Sequence, residues 1–270
     1  MTRAPAVAVL GPRGSYSEQA ARKWRPGARL TYQPTPAHVF RAVERGRAPV
    51  GVVPIENSVA GPVDVTLDLL RESDVSIVAE IALPIRHCLA SKGSLKSVRA
   101  VASNAMALAQ CRRFLERTLP DARAVPVPST AEAARRASRR PTLAAVASEE
   151  AARTYGLRIL RRNIQDYRSN ATRFIALGRE LPAPTRRDKT SLLISLAKDR
   201  PGFLHGVLGV FAARRINLTK VESRPTKRRL GEYVFYLDCE GHAGAPPVRE
   251  ALAALRRIAE FRVLGSYPRA

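Results

Sequence analysis

The chain changes rhythm once, near residue 189, and that change decides most of what it can fold into. From residue 6, short β-rich runs alternate with helical patterns: "AVAVL" then "SEQAARKW", "RLTY" then "AHVFRAVERG", "VGVVPI" then "VDVTLDLLRE". After the apolar run from Val75 to Ala90 the alternation resumes with "AVAS" and the helix "AMALAQCRRFLERT", "ARAVPV" and "TAEAARRASRR", then "LAAVAS" and "EEAARTYG". Strands that alternate with helices build an α/β layer with substantial parallel pairing, and two such sets predict two α/β lobes around a cleft, a preferred place for small ligands. The polar, proline-bearing "GRELPAPTRRDKT" reads as a linker. Beyond it "KTSLLISLA", "GFLHGVLGVFAARR", "NLTKVESR", "EYVFYLDCE", "PPVREALAALRRI" and "FRVLGSY" spell βαββαβ, the ferredoxin-like order, in a segment long enough to fold alone.

The 270 residues, 45% of them hydrophobic, suit about two domains at ~150 residues each. The longest apolar stretches fall well short of the ~20 residues a membrane span needs, and the first residues run straight into a strand, so neither a signal peptide nor a membrane helix is expected. Cys88, Cys111 and Cys239 are odd in number, widely spaced and without His partners at ligand spacing. Reduced thiols in a cytoplasmic protein, without structural metal, are the expectation. The net charge of +23 raises a nucleic-acid partner, but the basic residues are scattered, mostly Arg on helix faces such as "AEAARRASRR", and not an arm interleaved with aromatics. A solvated Arg-rich surface is the reading, with a field that favours small anions. His38, His87, His205 and His242 lie in separate segments and read as structural.

Three polar stretches stand where a strand gives way to a helix, where free N–H groups and the helix dipole favour anions. "GPRGSYSEQ" offers Ser15 or Ser17 as a cap and lacks the P-loop spacing. "PIENSVAGPVD" carries Glu56, Asn57 and Ser58 after a buried-looking strand, and turn or cap roles explain them as well as ligand roles do. In "ASNAMALAQC" Ser103 or Asn104 can cap, with Gln110 two turns along. A fourth stretch, "RSNATRFIALG", puts Thr172 and Arg173 at the start of an apolar strand, where a β-former and an edge cation are the ordinary reading.

Taken together, "LGPRGSYSEQAA", "VVPIENSVAGPV", "SIVAEIALPIRHCL", "QDYRSNATRF" and "KVESRP" resemble, in order and over nearly the whole chain, the prephenate dehydratases that carry a C-terminal ACT domain. The resemblance implies a two-lobed catalytic domain like the periplasmic binding proteins of type II over residues 4–181, one lobe being 4–82 with 162–181 and the other 83–161, and a ferredoxin-like ACT domain over 189–268. It implies a lyase that turns prephenate into phenylpyruvate, water and carbon dioxide without a cofactor. Thr172 is the implied donor to the departing C4 hydroxyl; an alcohol's pKa makes it a poor general acid, so it acts as an oriented hydrogen-bond donor or a relay. Arg173 is the implied bidentate partner of a substrate carboxylate. Asn57, Gln110 and Ser103 complete the implied catalytic set, with Ser15, Glu56, Ser58, Asn170 and Phe174 at the substrate. The family's Ser-His-Pro-Gln run reads here Ser103-Asn104-Ala105-Met106, a departure in one wall of the site.

In the last domain the resemblance places an amino-acid effector, phenylalanine, at Gly202, Phe203, Leu204, Asn217, Leu218, Glu222, Ser223, Arg224 and Pro225. Phe203 replaces a small residue, so its ring either narrows the effector pocket or packs in the core. An interface-bound effector implies a homodimer or homotetramer. Two rivals stay open: an arogenate dehydratase, and an amino-acid sensor that keeps the fold without turnover.

Overall fold

A computed structural model describes residues 6–195, 201–227, 229 and 231–270. Residues 4 and 5 of the expected first domain, and Leu196 and Ala197 of the expected strand "KTSLLISLA", lie outside them. In chain order the elements are β1 (Ala6–Leu10), α1 (Tyr16–Trp24), β2 (Arg29–Gln33), α2 (Pro36–Glu44), β3 (Val50–Asn57), β4 (Gly61–Pro62), α3 (Asp64–Glu72), β5 (Ser76–Pro84), β6 (Cys88–Ser91), β7 (Ala100–Ser103), α4 (Ala105–Gln110), α5 (Arg112–Thr118), β8 (Arg123–Pro126), α6 (Thr130–Ala137), β9 (Leu143–Ala147), α7 (Glu149–Thr154), β10 (Arg158–Arg161), β11 (Ala171–Gly178), β12 (Asp188–Ser195), α8 (Phe203–Ala212), β13 (Leu218–Pro225), β14 (Tyr233–Glu240), α9 (Pro246–Leu255) and β15 (Glu260–Pro268).

The chain divides into two compact units, Met1–Leu69 with Ile81–Phe174, and Leu70–Glu80 with Ile175–Ala270. The first holds most of the two α/β lobes; Ser76–Glu80 of β5 and Ile175–Gly178 of β11 are counted in the second. One lobe is built on a sheet ordered β2-β1-β3-β11-β5, with β1 parallel to both β2 and β3 and with β4 folded back on β3. β1 is buried along Ala6 to Val9 because helices cover both its faces, the usual reason a parallel strand is apolar throughout. The other lobe is a sheet ordered β10-β6-β9-β7-β8, in which β7 is parallel to β8 and β9 while β6 runs antiparallel to β9 and β10. On the face covered by α6 and α7 its core is mostly alanine, with Ala102, Ala131, Ala133, Ala134, Ala137, Ala145, Ala147, Ala151 and Ala152 fully enclosed, while the other face packs Leu89, Val101, Val146 and Ile164. A methyl group in place of a larger side chain lets α6 sit close on the sheet.

Five of the described helices start on a side-chain oxygen of the residue before them. Ser15 accepts from the Glu18 N–H, Thr35 from His38, Asn104 from Ala107, Ser129 from Glu132 and Ser148 from Ala151, each bonding an N–H of the first turn. Gly14, at φ +80°, turns the chain into α1 with its α-carbon against α7: a Cβ there would stand 2.8 Å from the Ala151 α-carbon. Only glycine fits both the left-handed backbone and that approach.

Two expected elements differ. The helix read over "AMALAQCRRFLERT" is broken at Cys111, because the Asp166 N–H takes the Gln110 carbonyl at 2.7 Å and the Asp166 carboxylate accepts from the Arg113 N–H at 3.4 Å. The stretch Glu56 to Ser58, read as a turn ahead of a helix, instead continues β3 through Asn57 into a hairpin with β4.

The second unit contains a four-stranded antiparallel sheet ordered β13-β14-β12-β15, with α8 and α9 packed on it through Phe203, Val207, Phe211, Val248, Ala251, Leu252 and Leu255. Its element order, β12-α8-β13-β14-α9-β15, is the βαββαβ read from the sequence. In the same unit Lys189 and Glu80 form a buried ion pair at 2.7 Å, and the Arg262 guanidinium donates to the carbonyls of Leu70, Arg71 and Ser73 just where α3 ends.

Candidate active site

Within the first unit a cavity of about 530 Å³ is lined by residues of both lobes, among them Ser15, Tyr16, Ser17, Asn57, Asp64, His87, Asn104, Gln110, Ser129, Thr130, Thr172 and Phe174. Its polar centre comes from three distant segments. Asn57 ends β3, Gln110 ends α4, and Asn170 and Thr172 flank the start of β11. Asn57 is fixed first: its Oδ1 accepts from the Val59 and Ala60 N–H groups at 3.1 and 2.9 Å, so its Nδ2 points the other way. That nitrogen donates to Asn170 Oδ1 at 2.7 Å, Thr172 Oγ1 at 2.9 Å and the Ala171 carbonyl at 3.1 Å. Asn170 in turn donates to Gln110 Oε1 at 2.9 Å, and Gln110 Nε2 returns to Asn57 Oδ1 at 3.4 Å. A buried amide network whose members are all bonded holds one geometry.

The consequence for Thr172 is directional. Its oxygen is occupied as an acceptor by Asn57, so its own hydrogen is the part left to aim at a ligand. The hydroxyl is preoriented before anything binds, the property that makes a neutral donor useful to an oxygen gathering charge.

Among the described residues that line the cavity none is Lys or Arg. Positive potential comes instead from the first N–H groups of α1 and α6, whose capped starts at Ser15–Ser17 and Ser129–Thr130 face it. Burial pushes the His87 imidazole down to about 4 from the usual 6.5, so the ring is neutral at physiological pH. Tyr16 is pushed far up by burial.

Not every expected residue is here. Ser15 lines the cavity, but its hydroxyl is spent on the Leu10 carbonyl at 2.7 Å and on the cap. Phe174 lines it as a wall. Asn170 stands behind as support for Asn57 and Gln110. Ser103 is fully enclosed with its hydroxyl on the Val146 carbonyl at 2.7 Å, and Ser58 is exposed and bonded to the Ser169 carbonyl. Arg173 is not among the lining residues: next to Thr172 in an extended strand, it points to the opposite face, where it pairs with Glu56 at 3.1 Å. Glu56 leaves the cavity for the same reason, being adjacent to Asn57 in β3. Tyr16 and His87 were not singled out as site residues by the sequence reading, and both line it. The available signal for His87 was a polar residue inside the apolar run "PIRHCLA".

In the second unit Gly202, at φ +81°, precedes α8, and Phe203 is buried in the core, so its ring packs there. Leu204 is half-buried, and the Asn217 carbonyl accepts from the Glu240 N–H at 2.9 Å. Leu218, Glu222, Ser223, Arg224 and Pro225 lie on β13, an edge strand whose residues alternate between half-buried and exposed. Among the described residues no group of His, Cys, Asp and Glu could hold a metal ion, the three cysteines are free and buried, and no helix is long and apolar enough to cross a membrane.

Fold and site together define a two-lobed α/β protein with a hydrogen-bonding cavity for a small ligand and a ferredoxin-like domain appended. The model of the prephenate dehydratase family matches residues 7–182 and that of the ACT domain residues 190–257. The chain is 47% identical over 268 residues to a bifunctional chorismate mutase/prephenate dehydratase of Aquifex aeolicus, covering 98% of this chain and 74% of that one. It is similar to the crystal structure of a prephenate dehydratase from Arthrobacter aurescens in complex with L-Phe, at TM-score 0.90 and 37% identity over 98% of this chain and 90% of that one. It is also similar, at TM-score 0.88 and 34% identity over 98% of both chains, to GqqA, described as a novel type of quorum-quenching acylase. The chain belongs to the prephenate dehydratase family and carries an ACT domain.

Proposed function

We propose that the chain converts prephenate into phenylpyruvate, water and carbon dioxide, with Thr172, Asn57 and Gln110 as the catalytic side chains. The observation that carries this is the Asn57 to Thr172 bond, which leaves the threonine hydrogen free for an oxygen in the cavity. Prephenate is a dianion. As the C1 carboxylate leaves as carbon dioxide, the electron pair of the breaking C–C bond enters the ring and the C4–O bond breaks. The departing oxygen needs one proton to leave as water, so a dianion and a proton give a monoanion and two neutral products. Thr172 donates to that oxygen as its charge grows, and aromatisation drives the rest. The α1 and α6 starts supply N–H groups for the carboxylates, and the cavity holds the two leaving groups aligned, a positioning task.

Acyl transfer of the kind GqqA's description names needs a base against a nucleophile. Here Thr172 bonds Asn57, while the His87 ring meets Tyr16 and Gln110, so the geometry favours dehydration. The test is the ultraviolet appearance of phenylpyruvate when the protein meets prephenate, with arogenate in a second tube. Turnover of prephenate supports the reading; turnover of arogenate alone reassigns the substrate, and turnover of neither leaves the sensor.

The proposal extends to regulation. Phenylalanine is the effector, bound by the ACT domain around Gly202 to Leu204 and Glu222 to Pro225, in a cytoplasmic homo-oligomer joined through the ACT domains. The L-Phe complex of the Arthrobacter aurescens enzyme and the open edge of β13 support it. Inhibition requires that phenylalanine and substrate prefer different states of the protein, reciprocally.

A further inference from the structure

The amides of the site share one hydrogen-bond direction, and that direction ends on His87. Backbone N–H groups fix Asn57 Oδ1, Asn57 Nδ2 fixes Asn170 Oδ1, and Asn170 Nδ2 then faces Gln110 Oε1 at 2.9 Å. Reversing Asn170 or Gln110 would set N–H against N–H. Gln110 Oε1 is therefore an acceptor on both sides, and His87 Nε2, 3.4 Å from it, needs a hydrogen for the contact to attract. At the other end of the ring, Nδ1 lies 3.3 Å from Tyr16 Oη, whose own hydrogen is given to the Arg86 carbonyl at 2.7 Å. A hydrogen for that contact has to sit on Nδ1. An imidazolium satisfies both contacts, whereas either neutral tautomer leaves one nitrogen lone pair facing an oxygen lone pair.

Burial opposes the charge, pushing the ring down to about 4, so without a ligand it is neutral. Burial and the Gln110 contact are what move the ring, and no charged group does. Tyr16 on α1, Cys88 on β6 and Cys111 at the break after α4 are titratable neighbours that burial keeps un-ionised at neutral pH, the first pushed far up and both thiols up to about 12; beyond the thiols stand Asp166, toward Cys111, and Glu149 with Arg162, toward Cys88. From the remaining chain against it, Gln165 gives only an amide oxygen to the His87 N–H at 3.0 Å, and the Arg86 side chain is exposed. Asp64 is the acid among the described lining residues. A doubly charged ligand would enter a cavity with contacts arranged for a cation and no cation in place.

We propose that His87 takes up a proton as a doubly charged carboxylate ligand enters the cavity, and thereafter holds that ligand as its counter-ion. The inference rests on prephenate as the ligand. Calorimetric titration of prephenate into the Thr172→Val protein at neutral pH, in HEPES and in Tris, reads protons exchanged from the difference in apparent enthalpy. Uptake of about one proton per site is expected. In a Thr172→Val, His87→Gln protein, the Gln amide still donates to Gln110, uptake disappears and Kd rises ~10-fold or more, since each unit by which the ligand-bound ring's pKa stands above the working pH is tenfold in affinity. Binding without uptake, or uptake unchanged in the double variant, which would point to Asp64, overturns the inference while turnover by the wild type keeps the dehydratase reading. If His87→Gln does not fold, the titration is repeated in Thr172→Val, Asp64→Asn: uptake that persists keeps the proton on His87, and uptake that vanishes overturns the inference. Neither binding nor wild-type turnover of prephenate removes both readings.

Discussion

Thr172→Val is the sharpest perturbation available. Valine matches threonine in shape, so a side chain that is 9% exposed on β11 changes from hydroxyl to methyl with little repacking. The fold has little to lose, because Asn57 Nδ2 keeps its bonds to Asn170 Oδ1 at 2.7 Å and the Ala171 carbonyl at 3.1 Å. What disappears is one preoriented donor aimed at the departing oxygen, and such donors are worth about 10²–10³ in turnover, or ~3–4 kcal/mol of barrier. The loss should fall on kcat with KM nearly unchanged, because the hydrogen bond strengthens only as the C–O bond breaks. The assay is steady-state formation of phenylpyruvate, with Thr172→Ser beside it as the variant that keeps the hydroxyl and recovers most of the rate. A loss below tenfold in Thr172→Val, or an equal loss in Thr172→Ser, would refute the assignment of that hydrogen.

Lys189→Met should lower stability by about 3–5 kcal/mol, the cost of stranding a buried carboxylate, here Glu80, without its ammonium; chemical denaturation measures it. Arg173→Met should lower the melting temperature while KM for prephenate stays put, since the guanidinium faces Glu56 and not the cavity; a raised KM at unchanged melting temperature would return Arg173 to the substrate. His87 makes the ligand-free protein acid-sensitive: its folded pKa of about 4 lies below the unfolded 6.5, so the unfolded state binds the proton first and stability falls as pH drops through that window, by about 3 kcal/mol in all. His87→Gln should flatten that slope. With all three thiols pushed up to about 12 by burial, iodoacetamide at mildly alkaline pH should label the native protein slowly at every cysteine, and fast labelling of Cys88 or Cys111 would contradict their enclosure.

The layer order of both lobes and the βαββαβ of the last domain were legible, because a period that switches between strand and helix is a local property of the chain. The amide network of the cavity was not. Asn57 meets Asn170 across 113 positions and Gln110 meets Asn170 across 60, and no spacing rule connects residues that far apart; only resemblance placed them together. The helix break at Cys111 escaped for a similar reason, since its cause is the Asp166 N–H arriving from a loop far along the chain. Arg173 is a different case. Thr172 and Arg173 are adjacent in a strand, and a strand's side chains alternate, so the sequence already held the reason their side chains leave β11 on opposite faces. The motif invited them to be read as a pair, and the backbone separates them.

The alanine-packed face of the second sheet has a calorimetric consequence. Alanines bury less apolar surface per residue than leucine or valine, and the heat capacity of unfolding grows with the apolar surface exposed. Exposing that face should therefore add a smaller heat-capacity increment per residue than exposing the opposite face of the same sheet, where Leu89, Val101, Val146 and Ile164 pack. The two faces of one sheet would thus share its stability while one of them sets most of its thermal curvature.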